Sequence, residues 1–197
     1  MKNVFVQGLA ILGTVLGVTA VCVVLNGRSL RADDDDHEGT EAKVRIGFEI
    51  APVLLNLKGK NPDLVGLGSY IVNAQADCNG CHTSDPAHEY TQTGNPYLLK
   101  PPFSGKTKVD PTTYLGGGND FGSLVPGSYD IVTRNLTPDK TGMPEGGHTL
   151  DEFMQIMPWP TFKNMSDRDL HAIYEYLSAI PCIEGPAAPS ILHNDCK

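Results

Sequence analysis

Basic residues are scarce in this chain: 15 Lys and Arg stand against 23 Asp and Glu, and all 23 acids lie after residue 32. Lys2, Arg28 and Arg31 fall within those first 32 positions, so the remainder carries twelve basic side chains against 23 acidic ones. Such a surface repels nucleic-acid phosphates and anionic lipid headgroups, which sets nucleic-acid binding aside and favours partners with basic patches. Charge of either sign is missing altogether between Asn3 and Gly27. Sustained periodicity is missing between Thr83 and His148, 66 residues with ten Gly and eight Pro. A loop of that length argues against a compact domain unless something other than polypeptide fills the core.

The charge-free stretch is apolar, with Val4–Leu25 reading VFVQGLAILGTVLGVTAVCVVL. At about 1.5 Å per residue these 22 residues can cross a hydrocarbon core of about 30 Å. The run exceeds the apolar region of about 7–15 residues in an ordinary signal peptide, so an uncleaved signal-anchor is expected. Cleavage after Ala32 is the alternative. A buried core helix fits poorly, because no polar face is present. Residues 1–32 are thus read as signal-anchor or signal peptide, which places the remainder in the periplasm or at the outer face of the cytoplasmic membrane. Cys22 is poorly flanked for lipid attachment by Thr19 and Val21 and reads as membrane-buried.

Outside the cytoplasm thiols tend to be bonded. Of the five cysteines, Cys182 and Cys196 stand fourteen positions apart around a Pro- and Gly-containing tail, residues 184–197. They are expected to form a disulfide, worth about 3 kcal/mol for a loop of this size. The alternative is two free thiols in a frayed terminus.

Between the apolar run and the first helix signal, residues 33–58 read as an acidic linker and an extended arm. DDDDHEGTEAK is a solvated spacer, with cation binding by its four Asp the weaker reading. In KVRIGFEIAPVLL, Val44, Ile46, Phe48 and Ile50 alternate with Arg45, Gly47 and Glu49. That period of two predicts extended backbone with one apolar face. Asn61-Pro62-Asp63 then opens a helix with Leu64, Leu67, Ile71 and Ala74 on one stripe, running into Cys78. Gly66 and Gly68 weaken it by about 1 kcal/mol each relative to Ala. They make sense where another helix crosses very closely. Thr149-Leu150-Asp151-Glu152 is a capping box for a helix that Pro158 limits to about Ile156. The clearest helix starts at Ser166, with Asp167 and Asp169 at its positive end, Leu170, Ile173, Tyr174 and Leu177 on the buried stripe, and Pro181 beyond. Met165 is placed to staple against Leu170.

Residues 76–84, ADCNGCHTS, carry the chemistry. Two cysteines three apart lie on one side of a helical turn, and a histidine follows the second directly. This spacing suits two thioether bonds to haem vinyl groups with the imidazole beneath the iron, the c-type attachment pattern. A structural zinc site wants a second close Cys or His pair, which is missing. A dithiol oxidoreductase wants the motif opening a helix after a buried strand, whereas here it ends a helix.

GSYIVNAQADCNGCHT and MPWPTFKNMSDRDLHAIYEYLSAIP resemble the first helix and the second half of a class I cytochrome c. YLGGGNDFG and TRNLTPDKTG are similar to segments of cytochrome c domains found with membrane-bound dehydrogenases. The resemblance covers roughly residues 44–182. It implies a mainly α, cytochrome c-like fold with long irregular haem-wrapping loops, preceded by an N-terminal hydrophobic helix. The haem domain would span residues 59–183, and the Gly68–Tyr70 helix would cross the Tyr174–Tyr176 helix. One covalent haem c would be held by Cys78 and Cys81, with His82 and Met157 as axial ligands. Met157 precedes Ser166 by nine residues and is followed by Pro158; Met154, Met143 and a histidine are the weaker choices, and Met154 competes because EFMQIMPWP is shorter than the corresponding segment of related chains. A methionine sulfur opposite histidine raises the reduction potential. Trp159 and Phe162 would wall the haem edge or simply pack. Arg134 and Asn135 would meet the propionates, or serve as ordinary loop polarity. Tyr97 and Tyr114 would pack the wrapping loop, and His171 would be a surface or packing residue.

The implied function is single-electron transfer between redox proteins outside the cytoplasm, with membrane contact through residues 4–25 if these are uncleaved. The chain itself would not be an enzyme. The alternatives are a haem enzyme, such as a peroxidase or a gas-binding protein, and a fixed cytochrome subunit of a dehydrogenase complex.

Overall fold

The computed structural model describes residues 38–98, 107–156 and 162–197. The apolar run at 4–25, the four Asp at 33–36, Met157 and Trp159 lie outside these residues. Among the described residues the chain is mainly helical and has no strand, only isolated bridges between Tyr90 and Val109 and between Asp120 and Val132. No helix among them is long and apolar enough to cross a membrane. Residues 1–42 and 43–197 form separate units, and the fold belongs to the second.

The alternation over 44–50 does not give extended backbone: residues 38–50 are helical (α1). What decides this is a line of small contacts at helical spacing. Val44, Gly47 and Ala51 lie on the side facing α2 (Pro62–Tyr70), where a Cβ on Gly47 would stand 1.9 Å from the Gly66 carbonyl oxygen. A Cβ on Gly66 would in turn meet Val44 Cγ1 at 2.7 Å. Ser69 Oγ donates to the Gly47 carbonyl at 2.7 Å and secures the crossing. Phe48 and Ile50, the presumed inner face of an arm, remain 37% exposed.

α2 starts where the sequence indicates, with the Asn61 side chain accepting from the amides of Asp63 and Leu64. Gly68 lets α5 (Asp167–Leu177) cross α2, since a Cβ there would lie 1.9 Å from the Ala172 carbonyl oxygen. The two glycines thus serve two different helices. α2 does not run straight into Cys78. It widens into a π-helical turn over Ile71–Gln75 and breaks at Asp77, whose φ is 47°.

α4 (Leu150–Ile156) carries the expected box: the Thr149 amide donates to Glu152 Oε2 at 2.9 Å, and the Glu152 amide donates to Thr149 Oγ1 at 3.4 Å. α5 is capped by Ser166 Oγ, which accepts from the Asp169 amide at 3.1 Å. Leu170, Ile173 and Leu177 are buried as expected, but Tyr176 rather than Tyr174 is the fully buried tyrosine. Tyr174 is half-buried and donates its hydroxyl to the His148 carbonyl. Met165 packs against the core.

The interior joins α2 and α5 to residues of the long loop. Tyr114, Leu115 and Leu136 are buried there beside Val65, Ile173 and Tyr176. The Tyr114 and Tyr176 hydroxyls stand 2.8 Å apart, and Asn73 bonds both, so two buried polar tips are satisfied within one network. Tyr97, by contrast, is 83% exposed and touches Tyr90 edge-on.

Cys182 and Cys196 are disulfide-bonded, with Cα atoms 5.8 Å apart. The tail between them is folded back rather than frayed. Asn194 is buried and donates to the Thr137 carbonyl at 2.6 Å, and the Asn135 amide donates to the Ile191 carbonyl at 3.0 Å. The tail therefore fixes residues 133–140, the segment that reaches the motif.

Candidate functional site

Cys78, Cys81 and His82 share one short helix, α3 (Cys78–His82), which begins beyond the left-handed Asp77. Both thiols are free, Cys78 half-buried against the core and Cys81 exposed. Asn79, on the opposite side of the turn, is buried and accepts the Leu115 amide at 2.8 Å. The His82 carbonyl accepts the Gly117 amide at 2.7 Å. Two bonds thus tie the motif helix to the wrapping loop.

The His82 ring is oriented from behind. Its Nδ1 lies 2.8 Å from the carbonyl oxygen of Arg134. A carbonyl can only accept, so Nδ1 must carry the hydrogen, which leaves Nε2 with its lone pair and no hydrogen-bond partner among the described residues. Burial holds the His82 pKa below the ordinary imidazole value; the bond to the Arg134 carbonyl opposes this, and the Arg134 charge reinforces it. The ring is therefore kept neutral. Metal-binding histidines are usually held in this way, neutral and oriented by Nδ1–H donation to a carbonyl or carboxylate.

Gly117 makes that contact sterically accessible. Its φ is +70°, and a Cβ on it would lie 2.4 Å from the Arg134 carbonyl oxygen. The Leu136 amide donates to the Leu115 carbonyl at 2.9 Å and the Gly118 amide to the Thr133 carbonyl at 2.8 Å, so the glycine run and residues 133–136 lie side by side. The YLGGGNDFG segment thereby acquires a local purpose: it lets one backbone carbonyl approach one imidazole.

The Cys78 thiol is pushed up to about 12 by burial, with the charges of Asp77 and Cys81 adding to the effect. Among the described residues, no three His, Cys, Asp or Glu side chains gather as a metal site.

Of the residues proposed to meet the propionates, Asn135 is fully engaged elsewhere. Its Nδ2 donates to the carbonyls of Ile183 and Leu192, and its Oδ1 accepts from the amide and hydroxyl of Thr137. The Arg134 side chain lies beside Glu145, with Nε 3.9 Å from Oε2, and neither of these atoms has a hydrogen-bond partner among the described residues. They line a cavity of about 150 Å³ with His148, His193 and Asn194. Burial raises the Glu145 pKa, while the charges of Arg134 and His148 oppose the rise.

Met157 lies outside the described residues. Met154 sits partly buried on α4, and Met143 is half-buried just before the Pro144–Gly147 turn. Phe162 is partly buried. His171 faces Glu175 at 3.7 Å on the outer side of α5, as a surface residue would. Sequence reading missed the Arg134 carbonyl, Gly117, Asn79 and Glu145. Only the triple glycine signalled any of them. No protein-family model, curated protein or solved structure matches this chain.

Proposed function

We propose that the chain is a monohaem c-type cytochrome of the class I kind, passing single electrons between redox proteins at the outer face of the cytoplasmic membrane. The observation that carries this reading is the tautomer of His82, whose Nδ1–H is held by the Arg134 carbonyl while Nε2 is left with a lone pair. Cys78 and Cys81, free and three apart on the same turn as His82, would hold the porphyrin through thioethers. Met157 would complete the axial pair. When bound, haem c supplies one-electron redox chemistry at its iron.

The chain's own residues do the rest. Gly117 and Arg134 orient the imidazole, and burial keeps it unprotonated. The lack of a third clustered ligand among the described residues counts against zinc. The α2–α5 crossing at Gly68 and Ala172 is the one the resemblance implies. An acidic surface, with formal net charge −8, favours salt-sensitive encounters with basic partners.

The test is extraction of the purified protein with acidified acetone. Pigment that stays with the polypeptide and gives a thioether-type pyridine haemochrome supports the reading; pigment that partitions into the solvent overturns it. Carbon monoxide should leave the spectrum of the native ferrous protein unchanged, whereas rapid binding would indicate a haem enzyme or gas-binding protein.

A further inference from the structure

On the haem reading of Cys78, Cys81 and His82, we propose that the disulfide-closed tail is a positioning element for the axial imidazole. The Ile191 carbonyl acts on His82 through the peptide group between Arg134 and Asn135. That one trans unit is bonded on both sides. Its carbonyl oxygen accepts the His82 Nδ1 hydrogen at 2.8 Å. Its N–H, the Asn135 amide, donates to the Ile191 carbonyl at 3.0 Å. The C=O and N–H of a trans peptide point in opposite directions, so the imidazole, the peptide and the tail are connected in series.

Hydrogen bonds in such a chain polarise one another, and more so where water is excluded. Asn135 is 1% exposed, so the relay is screened from solvent. Donation to Ile191 makes the Arg134 carbonyl a better acceptor. A better acceptor at Nδ1 makes Nε2 a stronger donor to iron, which favours the ferric state. The intact tail therefore holds the reduction potential down.

The tail keeps Ile191 in place by closing on itself. The Asn194 amide donates to the Glu184 carbonyl at 2.8 Å, and a Cβ on Gly185 would lie 2.0 Å from the Leu192 carbonyl oxygen. Cys182–Cys196 joins the two limbs. Both limbs then grip residues 135–137. Asn135 Nδ2 donates to the Ile183 and Leu192 carbonyls at 2.8 and 3.1 Å. The Ile183 amide donates to Thr137 Oγ1 at 2.9 Å, and Asn194 Nδ2 donates to the Thr137 carbonyl at 2.6 Å. These partners lie 46 to 57 positions apart, so the grip depends on a tail whose own loop is already closed by the disulfide.

The experiment uses the full, haem-loaded chain and two variants that loosen the tail differently. C182S/C196S opens its loop, and Asn194→Ala keeps the disulfide but removes the hold on Thr137. Asn61→Ala, which uncaps α2 and leaves the tail intact, is the control for lost stability alone. Spectroelectrochemistry reads the potential, and nitrogen-edited NMR of the ferrous protein reads the His82 Nδ1 hydrogen. Both tail variants should raise the potential and move the Nδ1 hydrogen resonance, while Asn61→Ala moves neither. For C182S/C196S the rise should equal a roughly threefold shift in the ferric-to-ferrous ratio. If C182S/C196S does not fold, Asn194→Ala decides alone. An unchanged potential and resonance in the folded tail variants, or equal shifts in Asn61→Ala, overturn the role of the tail and leave the haem reading standing. Protein without covalent haem removes both.

Discussion

The Arg134 carbonyl oxygen accepts the His82 Nδ1 hydrogen at 2.8 Å and lies 2.4 Å from where a Cβ on Gly117 would stand. The orientation of the imidazole therefore depends on the absence of a side chain 35 positions away in the sequence. Gly117→Ala should cost about 1–3 kcal/mol through its positive φ and the displaced carbonyl. In the haem-loaded protein, loss of the Nδ1 bond makes the imidazole a weaker donor to iron, so the reduction potential should rise. Gly122→Ala is the control. Its φ is +64° with nothing within 4 Å, so it carries the strain without the contact. Spectroelectrochemical titration of both variants is the check, and equal potentials would remove Gly117 from the site.

Gly68 makes a different demand. A Cβ there would meet the Ala172 carbonyl oxygen at 1.9 Å and Tyr176 Cβ at 2.8 Å, a helix backbone and a buried ring stem that cannot step aside. Gly68→Ala should force α2 and α5 apart at a cost of about 3 kcal/mol, read from urea unfolding. A loss under about 1 kcal/mol would mean the crossing is looser than the geometry indicates.

Glu145 sets a pH dependence. Burial holds its carboxyl above the ordinary value of 4.5, so between that value and its raised pKa the folded state binds more protons than the unfolded chain. Stability contributed by the protonated group is complete below pH 4.5 and is lost as pH rises through the raised pKa. Glu145→Gln should flatten this decline in denaturation midpoints measured across the acid-to-neutral range. An unchanged slope would place the dependence on other groups.

Met157 is the expected sixth ligand, nine positions before Ser166. Met157→Ala should abolish the methionine-to-ferric charge-transfer band, and Met154→Ala should leave it in place. The reverse pattern would shift the ligand register by three residues.

Much of the fold is legible where the chemistry is local. The capping box at Thr149, the Ser166 cap and the Cys182–Cys196 pair each follow from residues near one another in sequence or left over by exclusion. Gly66 and Gly68 signal close crossings, but the identity of the second helix, α1, was hidden. Its contact with α2 runs through Val44, Gly47 and the edge of Phe48, a helical spacing that the alternation of Val44, Ile46, Phe48 and Ile50 masks. The break at Asp77 has no strong sequence mark, because a left-handed Asp costs little beside a π-turn. The partner of His82 was illegible for a more general reason: it is a backbone carbonyl, available at any residue. Asn135 shows the converse, since a polar side chain that reads as ligand-facing is fully used in tying down the tail.

The most direct measurement is the intact mass of the denatured, alkylated protein purified from cells that make cytochromes. The expected result is one haem mass added to the polypeptide, with neither Cys78 nor Cys81 open to alkylation. A polypeptide without the added haem and with both of those thiols alkylated would contradict it.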